Sequence, residues 1–540
     1  MIEAPATIGR VFAANRGLPA IEIVNAVQGL GLQASVAAAP SDTRSLAYRI
    51  ADAKTGLPVA ESHVERDSYT NIQWMLEAAT RVNADAVHPG YGFLSEDPEF
   101  ARQVELLGMH FIGPSVHALN VFGSKTRFRQ HARESGVPVI PASRMFVFRD
   151  EAGGSGGPLR GIRSRLTLAG SLLGKAYARS GLDRVTGRLD RQPVQFARAV
   201  AATMGEQFWP TTFERVKDEA VAFIEMHGDI VVKSPYGGGG MGTSLLPGIR
   251  ELLQRDRQLA LQQIESAIRS SNRTSLRARR SGVYFEKLIA RAGHLEIQAI
   301  ADKHGNVHVL KFERDCSWQV KARKMVEQSP SSKIGPDERE TLRRYAREII
   351  ANIHSHGIFT VEFLKDMDGG GLYALEVNPR LQVEHKVSEL VTYIDHGKIL
   401  EIIPLQIAIA NGDRLDLFEH ECRGHAVEAR VLVNVDENRG GYLSEFMVPD
   451  AEGIFTIANF DGELFVPGGY DGHIAKIIAV GETAQQANER LRTALEGTRL
   501  TGEPNNINFI LGNMSRPEFQ DGSYTTEFVS NASITDIFQS

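Results

Sequence analysis

A lysine near the end of a strand-like segment is followed closely by a run of glycines. Lys233 lies in the stretch DIVVKS, and the next glycines are Gly237, Gly238, Gly239, Gly240 and Gly242. Consecutive glycines let backbone N–H groups approach phosphate oxygens because no Cβ stands in the way, and a lysine supplies a point charge for an α- or β-phosphate. The lysine precedes the glycines, so this is not a Walker A loop. The pattern predicts either a nucleotide-phosphate site or a mobile hairpin.

Two carboxylates and an amide occupy two strand-like segments further along the chain. Glu362 lies in TVEFL, and Glu376 and Asn378 follow fourteen and sixteen residues later in ALEVNPR. Two adjacent strands joined by a turn would bring these side chains to one side of a sheet. Hard carboxylate and carbonyl oxygens suit Mg²⁺ that bridges nucleotide phosphates. The pattern therefore predicts a site for Mg²⁺ (or Mn²⁺); the alternative is a salt-bridged surface ribbon.

An arginine and a glutamate follow that segment in RLQVEH. Arg380 can fork onto a carboxylate-like or phosphate-like anion, and Glu384 could take a proton from that anion as a general base. The cations Lys324 and Arg430, in the segments ARK and EAR, could complete the pocket. Taken singly, each of these residues is more often part of an ordinary salt bridge. Their joint pattern predicts a site that binds and deprotonates an anion.

The elements that must position these residues begin with an alternation of strands and helices over about the first 125 residues. A helical pattern covers Leu18–Leu30, and short apolar segments typical of strands surround it. The predicted strands are Arg10–Asn15, Ala34–Ala39, Asp85–His88 and His110–Ile112. Such alternation with short connections predicts a parallel, doubly wound sheet.

A Gly-rich and then basic segment at about 147–207 interrupts this pattern. We interpret it as a surface insertion or as a docking patch for an acidic partner or phosphorylated ligand. Strands and helices return beyond it. The predicted elements are strands over 282–289, 294–301 and 307–312, a helix over 336–356, a strand pair over 359–364 and 372–377, and a helix over 483–500.

The composition of the 540-residue chain is that of an ordinary globular protein, with 42% hydrophobic and 23% charged residues. These values exclude collagen, a coiled coil and wholesale disorder. No apolar run is long enough to cross a bilayer, and the net charge of −6 provides no basic field for nucleic acid. Only two cysteines are present, and no secretory signal is evident. We therefore expect a cytoplasmic enzyme with no nucleic-acid or membrane partner.

Several blocks of the sequence resemble, in order, the motifs of the biotin carboxylase family. They are ANRG at 14–17, HPGYGFLSE at 88–96, FIGP at 111–114, GSK at 123–125, ERDCSWQ at 313–319 and EVNPRLQVEH at 376–385. Carbamoyl-phosphate synthetases share EVNPR but not the LQVEH that follows, so they fit less well. The chain is identified as a divergent member of this family of ATP-grasp ligases, whose members occur as separate subunits or as the first part of acyl-CoA and pyruvate carboxylases.

The resemblance implies a role for each residue at a matching position. ATP phosphates would be held by Lys125, Lys233 and Gly237–Gly240. The rest of the nucleotide would meet Glu286, Lys287 and Ile289 near adenine, and His294 and Gln319 near the ribose. Mg²⁺ would be held by Glu362, Glu376 and Asn378. Bicarbonate would be bound by Lys324, Arg380, Gln382 and Val383.

The same resemblance implies the reaction. Glu384 would deprotonate bicarbonate, which attacks the γ-phosphate of ATP to form carboxyphosphate. Arg430 would then stabilise the enolate oxygen of biotin while biotin is carboxylated. No AMKM or VMKM stretch, which marks a biotinylated lysine, occurs in the sequence. Biotin would therefore be supplied in trans, and the expected partners are a biotin carrier protein, a carboxyltransferase subunit and a second copy of this chain in a homodimer.

The implied fold combines α/β and α+β parts. It comprises an N-terminal Rossmann-like domain (1–125), an ATP-grasp lid with the basic insertion (126–288), an ATP-grasp central domain with the Mg²⁺ and bicarbonate site (289–420), and a C-terminal domain of the biotin carboxylase type (421–540). ATP would lie between the lid and the central domain.

Two alternatives to biotin carboxylation stay open. In the first, carboxyphosphate serves another nitrogen acceptor. The basic segment favours it, as do departures from the family motifs at Leu18 and Met241, around Lys321–Arg323 (including Ala322) and at Gly472–His473. In the second, the chain is a catalytically weak regulatory or scaffold homologue. Retention of Glu384 and Arg430 argues against the second, because a scaffold need keep neither.

Overall fold

The structure is a computed structural model that describes residues 7–58, 66–148, 208–234, 242–277, 282–320, 323–394, 397–415, 420–436 and 439–538. The described strands are β1 (Arg10–Ala13), β2 (Gln33–Ala38), β3 (Ala53–Gly56), β4 (Ala86–His88), β5 (His110–Phe111), β6 (Met145–Phe148), β7 (Phe208–Thr211), β8 (Ile230–Lys233), β9 (Thr243–Leu246), β10 (Tyr284–Lys287), β11 (Ala292–Ala301), β12 (Val307–Val309), β13 (Arg314–Val320), β14 (Arg323–Ser329), β15 (Gly357–Asp366), β16 (Leu372–Asn378), β17 (Thr392–Ile394), β18 (Lys398–Ile399), β19 (Glu421–Cys422), β20 (His425–Leu432), β21 (Gly441–Leu443), β22 (Glu445–Met447), β23 (Ile454–Ala458), β24 (Leu464–Val466), β25 (His473–Gly481) and β26 (Arg499–Thr501).

The described helices are α1 (Gly17–Gly29), α2 (Leu46–Ile50), α3 (Arg66–Thr70), α4 (Ile72–Arg81), α5 (Pro98–Leu106), α6 (Val116–Phe122), α7 (Lys125–Glu134), α8 (Phe213–His227), α9 (Ile249–Arg255), α10 (Arg257–Arg277), α11 (Pro336–Ala351), α12 (His385–Glu389), α13 (Ile402–Asn411), α14 (Ala484–Gly497), α15 (Ile507–Met514), α16 (Pro517–Gln520) and α17 (Ile534–Ile537). The chain divides into two compact units. The first comprises residues 1–123, 131–138 and 291–540, and the second comprises 124–130 and 139–290.

The first unit contains a parallel sheet of five described strands in the order β3-β2-β1-β4-β5. Short polar side chains start the helices that follow β3, β4 and β5: Asn71 caps α4, Asp97 caps α5 and Ser115 caps α6. From β1 the chain adds β2 and β3 on one side of the sheet and then β4 and β5 on the other. The boundary between β1 and β4 is therefore the topological switch point, where ligands bind in open parallel sheets. There the side chain of Asn15 donates to the carbonyl oxygens of Pro89 at 2.7 Å and Tyr91 at 2.9 Å. The predicted parallel sheet is confirmed.

A second sheet of the first unit joins nine described strands, and the predicted site residues of this unit lie on it or beside it. Eight strands follow the order β16-β15-β11-β13-β14-β20-β25-β23, and β12 pairs with β11. The neighbours run antiparallel. Every residue of β11 is buried. This strand therefore has structure packed on both of its faces, so that any polar side chain on it must find a partner.

The two sheets of the first unit share one hydrophobic core. Ile21 and Val24 of α1 belong to the same buried cluster as Ile300 of β11, Ile358 of β15 and Ile407 of α13. Because α1 packs on this shared core, residues near the start of the chain can contact the nine-stranded sheet. The ion pair between Glu22 of α1 and a lysine of β25, described below, is one such contact.

The second unit is built on a small antiparallel sheet in the order β10-β8-β9. Helices α8 and α10 cover it, because their apolar residues recur at helical spacing. Ile224 of α8 and Ile264 of α10 pack with Val232, Phe285 and Phe146 in its core. This unit carries the predicted phosphate lysine at the end of β8.

The predicted elements are confirmed with shifted ends. The helix predicted over 336–356 stops at Ala351 because the chain turns through His354 (φ 49°) and Gly357 (φ 114°) into β15. Of the predicted basic insertion, residues 149–207 lie outside the described part of the chain, as do Gly237–Gly240, Met241 and Ala322. The four-domain division stays a prediction. In the ranges that the structure describes, no helix is long and apolar enough to cross a membrane.

Candidate active site

Glu384 lies at the start of α12, where its carboxylate is fully buried between two cations. Lys324 Nζ donates to Glu384 Oε1 at 2.8 Å, and Arg430 Nη2 donates to Oε2 at 2.9 Å. The two cations come from neighbouring strands, β14 and β20, which pair so that Val326 faces Ala429. The pairing of these strands brings together residues that are 106 positions apart in the sequence, Lys324 and Arg430. The predicted base and two of its predicted cationic neighbours are therefore adjacent.

Each cation also contacts a second carboxylate that the sequence analysis did not single out. Arg430 Nε donates to Glu327 Oε1 at 2.5 Å. Lys324 is ion-paired with Glu296 of β11 and lies 3.5 Å from Glu362 Oε1. Glu296 also accepts from Arg314 Nη2 at 3.2 Å. Lys324 is thus the common partner of three buried carboxylates, those of Glu296, Glu362 and Glu384.

Burial and these charges shift the ionisation of the cluster. Burial opposes ionisation of Glu384, but Lys324 and Arg430 outweigh it and hold its pKa well below the usual range. Burial favours a neutral amine at Lys324, yet the surrounding carboxylates raise its pKa well above the ordinary value. Burial and the charges of Glu384 and Glu362 raise the pKa of Glu296, although Lys324 lowers it. The arrangement keeps Glu384 in the anionic form that a general base requires.

The pH dependence of the reaction should reflect this shift. Because the pKa of Glu384 is depressed, we expect kcat/KM for bicarbonate, at constant bicarbonate ion concentration, to lose no activity through protonation of Glu384 between pH 8 and about pH 5. The same shift stabilises the folded state above the ordinary glutamate pKa of about 4.3, and this contribution is lost as the pH falls toward the lower folded-state value. The prediction would be contradicted by a pH profile of kcat/KM that falls with an apparent pKa near 6.5 in the unmodified chain but not in Glu384→Gln.

The three predicted metal ligands lie on the paired strands β15 and β16. Glu362 and Glu376 are register partners across the pair, beside a bulge. Asn378 Nδ2 donates to Glu362 Oε1 at 2.7 Å, which directs its amide nitrogen to the carboxylate and leaves Oδ1 as the atom that can ligate a cation. Two carboxylates and a carbonyl oxygen form a donor set that fits Mg²⁺. The residues present therefore fit the predicted ion.

His294, predicted near the ribose, lies beside a predicted metal ligand, and its role toward the nucleotide stays a prediction. Its Nε2 is 2.9 Å from Glu362 Oε2. Potential ligand atoms of His294, Glu296 and Glu362 lie within 4.8 Å of one another, as do those of Glu296, Cys316 and Glu384. The oxygen-rich set of Glu362, Glu376 and Asn378 is the best match to a hard ion such as Mg²⁺.

Three of the four predicted bicarbonate residues, Arg380, Gln382 and Val383, lie between β16 and α12, and the fourth, Lys324, lies on β14. Arg380 Nε donates to Glu96 Oε1 at 2.5 Å, and its Nη1 donates to Gln382 Oε1 at 3.0 Å. The buried Nε2 of Gln382 has no hydrogen-bond partner among the described residues. A buried donor without a partner costs free energy. It therefore fits a site at which an anion accepts a hydrogen bond.

In the second unit, the predicted phosphate lysine is paired with a predicted nucleotide residue. Lys233 at the end of β8 and Arg129 of α7 both form ion pairs with the buried carboxylate of Glu286 on β10. Burial favours the neutral acid at Glu286, but Lys233 and Arg129, with a smaller effect of Lys125, lower its pKa. Lys125, Lys233 and Glu286 are thus grouped together.

The other residues predicted to contact the nucleotide lie on or next to strands of the two units. Lys287 ends β10 with its backbone N–H bonded to Pro141 O at 2.9 Å, and Ile289 is buried just beyond it. Gln319 of β13 is the register partner of Lys324 on β14. The first two lie in the second unit and Gln319 lies in the first. The glycine loop falls outside the described residues.

Three carboxylates of the cluster were missed by sequence reasoning. Glu296 and Glu327 were missed because Glu296 sits in a strand that is buried throughout, β11, and Glu327 sits in the buried part of β14, from Met325 to Ser329. A glutamate within such a strand is a usable signal, since an ionised group there must be paired. Glu96 lies within the HPGYGFLSE block, but its contact with Arg380 joins residues 284 positions apart. That contact has no local signature in the sequence.

Comparison with known protein families accounts for most of the chain. Residues 7–119 match the family described as "Biotin carboxylase, N-terminal domain", and residues 428–531 match "Biotin carboxylase C-terminal domain". Residues 193–418 match "Carbamoyl-phosphate synthase L chain, ATP binding domain". A biotin carboxylase of Halalkalibacterium halodurans is 30% identical, over 97% of this chain and 97% of its own. The chain belongs to the biotin carboxylase family.

Solved structures of biotin carboxylases agree with this family assignment. The Campylobacter jejuni biotin carboxylase–β-γ-ATP complex is 26% identical with a TM-score of 0.75, covering 97% of this chain and 99% of that one. The biotin carboxylase domain dimer of Hydrogenobacter thermophilus 2-oxoglutarate carboxylase, in complex with MgADP, ADP and bicarbonate, is 26% identical with a TM-score of 0.74, covering 97% of each chain. The predicted ATP-grasp fold and its assignment to the ligase class are confirmed for this biotin carboxylase homologue.

Proposed function

We propose that this chain carboxylates biotin, presented by a carrier protein, in a reaction that consumes ATP and bicarbonate and passes through carboxyphosphate. The observation that carries the proposal is the buried carboxylate of Glu384, kept anionic between Lys324 and Arg430. A general base with a cation on each side is suited to binding an anion and removing its proton. Family membership and the solved relatives with bound nucleotide and bicarbonate support it.

In the first step, Glu384 removes the proton of bicarbonate while Arg380, Gln382 and Lys324 bind the anion. The bicarbonate oxygen forms a bond to the γ-phosphorus of ATP, and the bond from that phosphorus to the bridging oxygen of ADP breaks. Lys125 and Lys233 would neutralise the phosphates. Lys233 is ion-paired with Glu286. When nucleotide binds, its phosphates compete with the Glu286 carboxylate for this lysine, so the ion pair must break or Lys233 must contact both anions.

In the second step, carboxyphosphate splits into CO₂ and phosphate, and the phosphate takes the proton from biotin N1. The N1 atom forms its bond to the carbon of CO₂. Arg430 stabilises the negative charge on the biotin ureido oxygen, since its guanidinium is already held in place by Glu327 and Glu384. The products are carboxybiotin, ADP and phosphate.

Glu362, Glu376 and Asn378 would hold Mg²⁺, which when bound neutralises phosphate charge. Replacing Glu376 by glutamine removes one negative ligand without changing the volume of the side chain. We expect this change to raise the Mg²⁺ concentration needed for half-maximal activity about 10-fold or more. The measurement is a Mg²⁺ titration of phosphate release at constant MgATP. An unchanged half-maximal concentration would remove Glu376 from the set.

The proposal includes the partners and the compartment of the chain. We infer a biotin carrier protein, a carboxyltransferase and a homodimer; the solved biotin carboxylase domain of Hydrogenobacter thermophilus is described as a dimer. We also infer a cytoplasmic location, which fits Cys316 and Cys422, both described as free thiols.

The test is phosphate release from MgATP, measured with and without bicarbonate and with and without free biotin. Release that requires bicarbonate and is stimulated by biotin would support biotin carboxylation, provided that Glu384→Gln abolishes it. Phosphate release that requires bicarbonate but is not stimulated by free biotin or by a biotinylated carrier would favour another nitrogen acceptor. Absence of nucleotide binding, measured by calorimetry with MgADP, would favour a regulatory homologue.

A further inference from the structure

A buried ion pair joins the first helix of the chain to the strand next to β20. Lys476 Nζ of β25 donates to Glu22 Oε1 of α1 at 2.5 Å, and the two side chains are 0% and 3% exposed. Glu22 is also contacted by the hydroxyl of Tyr91, which donates to its Oε2 at 3.3 Å. The pair lies where α1 packs on the nine-stranded sheet.

Lys476 makes a second hydrogen bond, to the segment that carries the general base. Its Nζ donates to the backbone carbonyl oxygen of Val383 at 2.9 Å. This carbonyl and the backbone N–H of Glu384 belong to one planar peptide group. A hydrogen bond to this oxygen therefore fixes the orientation of the peptide plane between Val383 and Glu384. The lysine acts on the backbone of the base, whereas Lys324 and Arg430 act on its carboxylate.

Two other backbone carbonyls of the same segment accept contacts from side chains within it. Arg380 Nη1 donates to Leu381 O at 3.1 Å, and His385 Nδ1 lies 2.9 Å from Gln382 O. Burial, followed by the charge of Lys476, lowers the pKa of His385 well below its ordinary value, so the imidazole is neutral beside the pair. Lys476 thus supplies the contact that ties the segment to β25 and, through Glu22, to α1.

The pairing is difficult to explain by stability alone. A buried ion pair usually contributes no more than a well-packed apolar pair of similar size, because removing both charges from water is costly. An apolar side chain at position 476, however, could not donate to the Val383 carbonyl. A lysine is suited to both tasks, because its ammonium group has three donors and Glu22 compensates its charge.

We propose that Lys476 and Glu22 are positioning residues for the general base: Lys476 orients the Val383–Glu384 peptide, and Glu22 holds Lys476 in place. The inference rests on the proposed function, since it concerns the same base. The two residues give α1 and β25 an indirect part in proton removal from bicarbonate. Neither residue touches the reacting atoms.

The test compares Lys476→Met and Glu22→Gln with the unmodified chain in bicarbonate-dependent phosphate release. A misplaced base lowers the rate of proton removal, so we expect kcat to fall about 100-fold in Lys476→Met and about 10-fold in Glu22→Gln, where the lysine keeps its bond to Val383. The KM for MgATP should stay within 2-fold. Both variants should gain activity as the pH rises from 7 to 9, because a growing share of the nucleophile is then already carbonate. That gain is specific to a weakened base.

A matched control is Lys365→Met. Lys365 of β15 also bonds a carboxylate, that of Glu338, and a backbone carbonyl, Gly370 O at 3.2 Å, but neither partner belongs to the candidate site. We expect it to keep its kcat and its flat pH profile. Urea unfolding of all variants shows whether each protein is folded. If Lys476→Met fails to fold, the kcat and pH profile of Glu22→Gln test the positioning role.

The outcomes separate the two proposals. The positioning role would be overturned if the folded variants keep the kcat and pH profile of the unmodified chain. It would also be overturned if Lys365→Met lowers kcat as much as Lys476→Met does. Either result leaves the proposed function standing. An unmodified chain without bicarbonate-dependent release would overturn the proposed function itself, and with it the positioning role.

Discussion

Glu384→Gln is expected to lower bicarbonate-dependent phosphate release about 100-fold or more, because a glutamine cannot accept a proton from bicarbonate. The change also disturbs the two cations. A carboxylate offers an oxygen to each of Lys324 and Arg430, whereas an amide offers one oxygen and presents an NH₂ group to the other cation. The loss should appear in kcat, measured at saturating MgATP and bicarbonate. Near-normal turnover would remove Glu384 from the mechanism.

Glu389→Gln is the matched control for this prediction. Glu389 ends the same short helix, is buried, bonds Lys386 at 2.5 Å and accepts from the backbone N–H of Ile402 at 2.8 Å. Burial raises the pKa of Glu389, although Lys386 lowers it, and a glutamine keeps the size of the side chain. We expect Glu389→Gln to keep its turnover. If both variants lose activity alike, the effect of Glu384→Gln reflects the packing of α12 rather than its chemistry.

Lys324→Met should be the most destabilising change in the first unit. Lys324 is the common partner of Glu296, Glu362 and Glu384, and removing one member of a buried ionic cluster leaves uncompensated charge. We expect the free energy of unfolding at pH 7 to fall by about 3–5 kcal/mol, measured by urea denaturation. The loss should become smaller at lower pH, because protonation of the three carboxylates relieves their repulsion.

A second buried lysine provides the comparison for Lys324→Met. Lys333 is fully buried and pairs with the single carboxylate of Asp315 at 2.5 Å. Its replacement by methionine should lower stability, but the folded protein should keep bicarbonate-dependent phosphate release, whereas folded Lys324→Met should not. A larger loss of stability in Lys333→Met, or retained activity in Lys324→Met, would contradict the importance of the three-carboxylate cluster.

Local patterns in the sequence were enough to predict much of the fold. Apolar alternation identified β15 and β16, and the spacing of Glu362, Glu376 and Asn378 correctly placed them on paired strands. Short-range periodicity is a property of a single element, so it can be recognised without knowledge of its neighbours. The motif blocks added the order of the domains.

Contacts between distant elements could not be predicted in this way. The bond between His294 and Glu362 was not foreseen, because it depends on β11 pairing with β15 in a register that places Glu296 opposite Glu362. The register of two strands depends on the packing of the whole sheet. The pairing of Lys233 with Glu286 was equally invisible, since both had been assigned separately to a nucleotide.

The bond between Glu22 and Lys476 spans 454 positions, and it has a consequence for the order in which the protein matures on the ribosome. At usual elongation speeds, roughly 20–90 s separate synthesis of these two residues. Until β25 has left the exit tunnel, the nascent chain has the parallel sheet and the glutamates of β11 and β15 but lacks the strand that fastens the base. The proposed positioning role therefore implies that an unfinished polypeptide spends little cellular ATP on bicarbonate, and that full activity arises only when the C-terminal strands have been added.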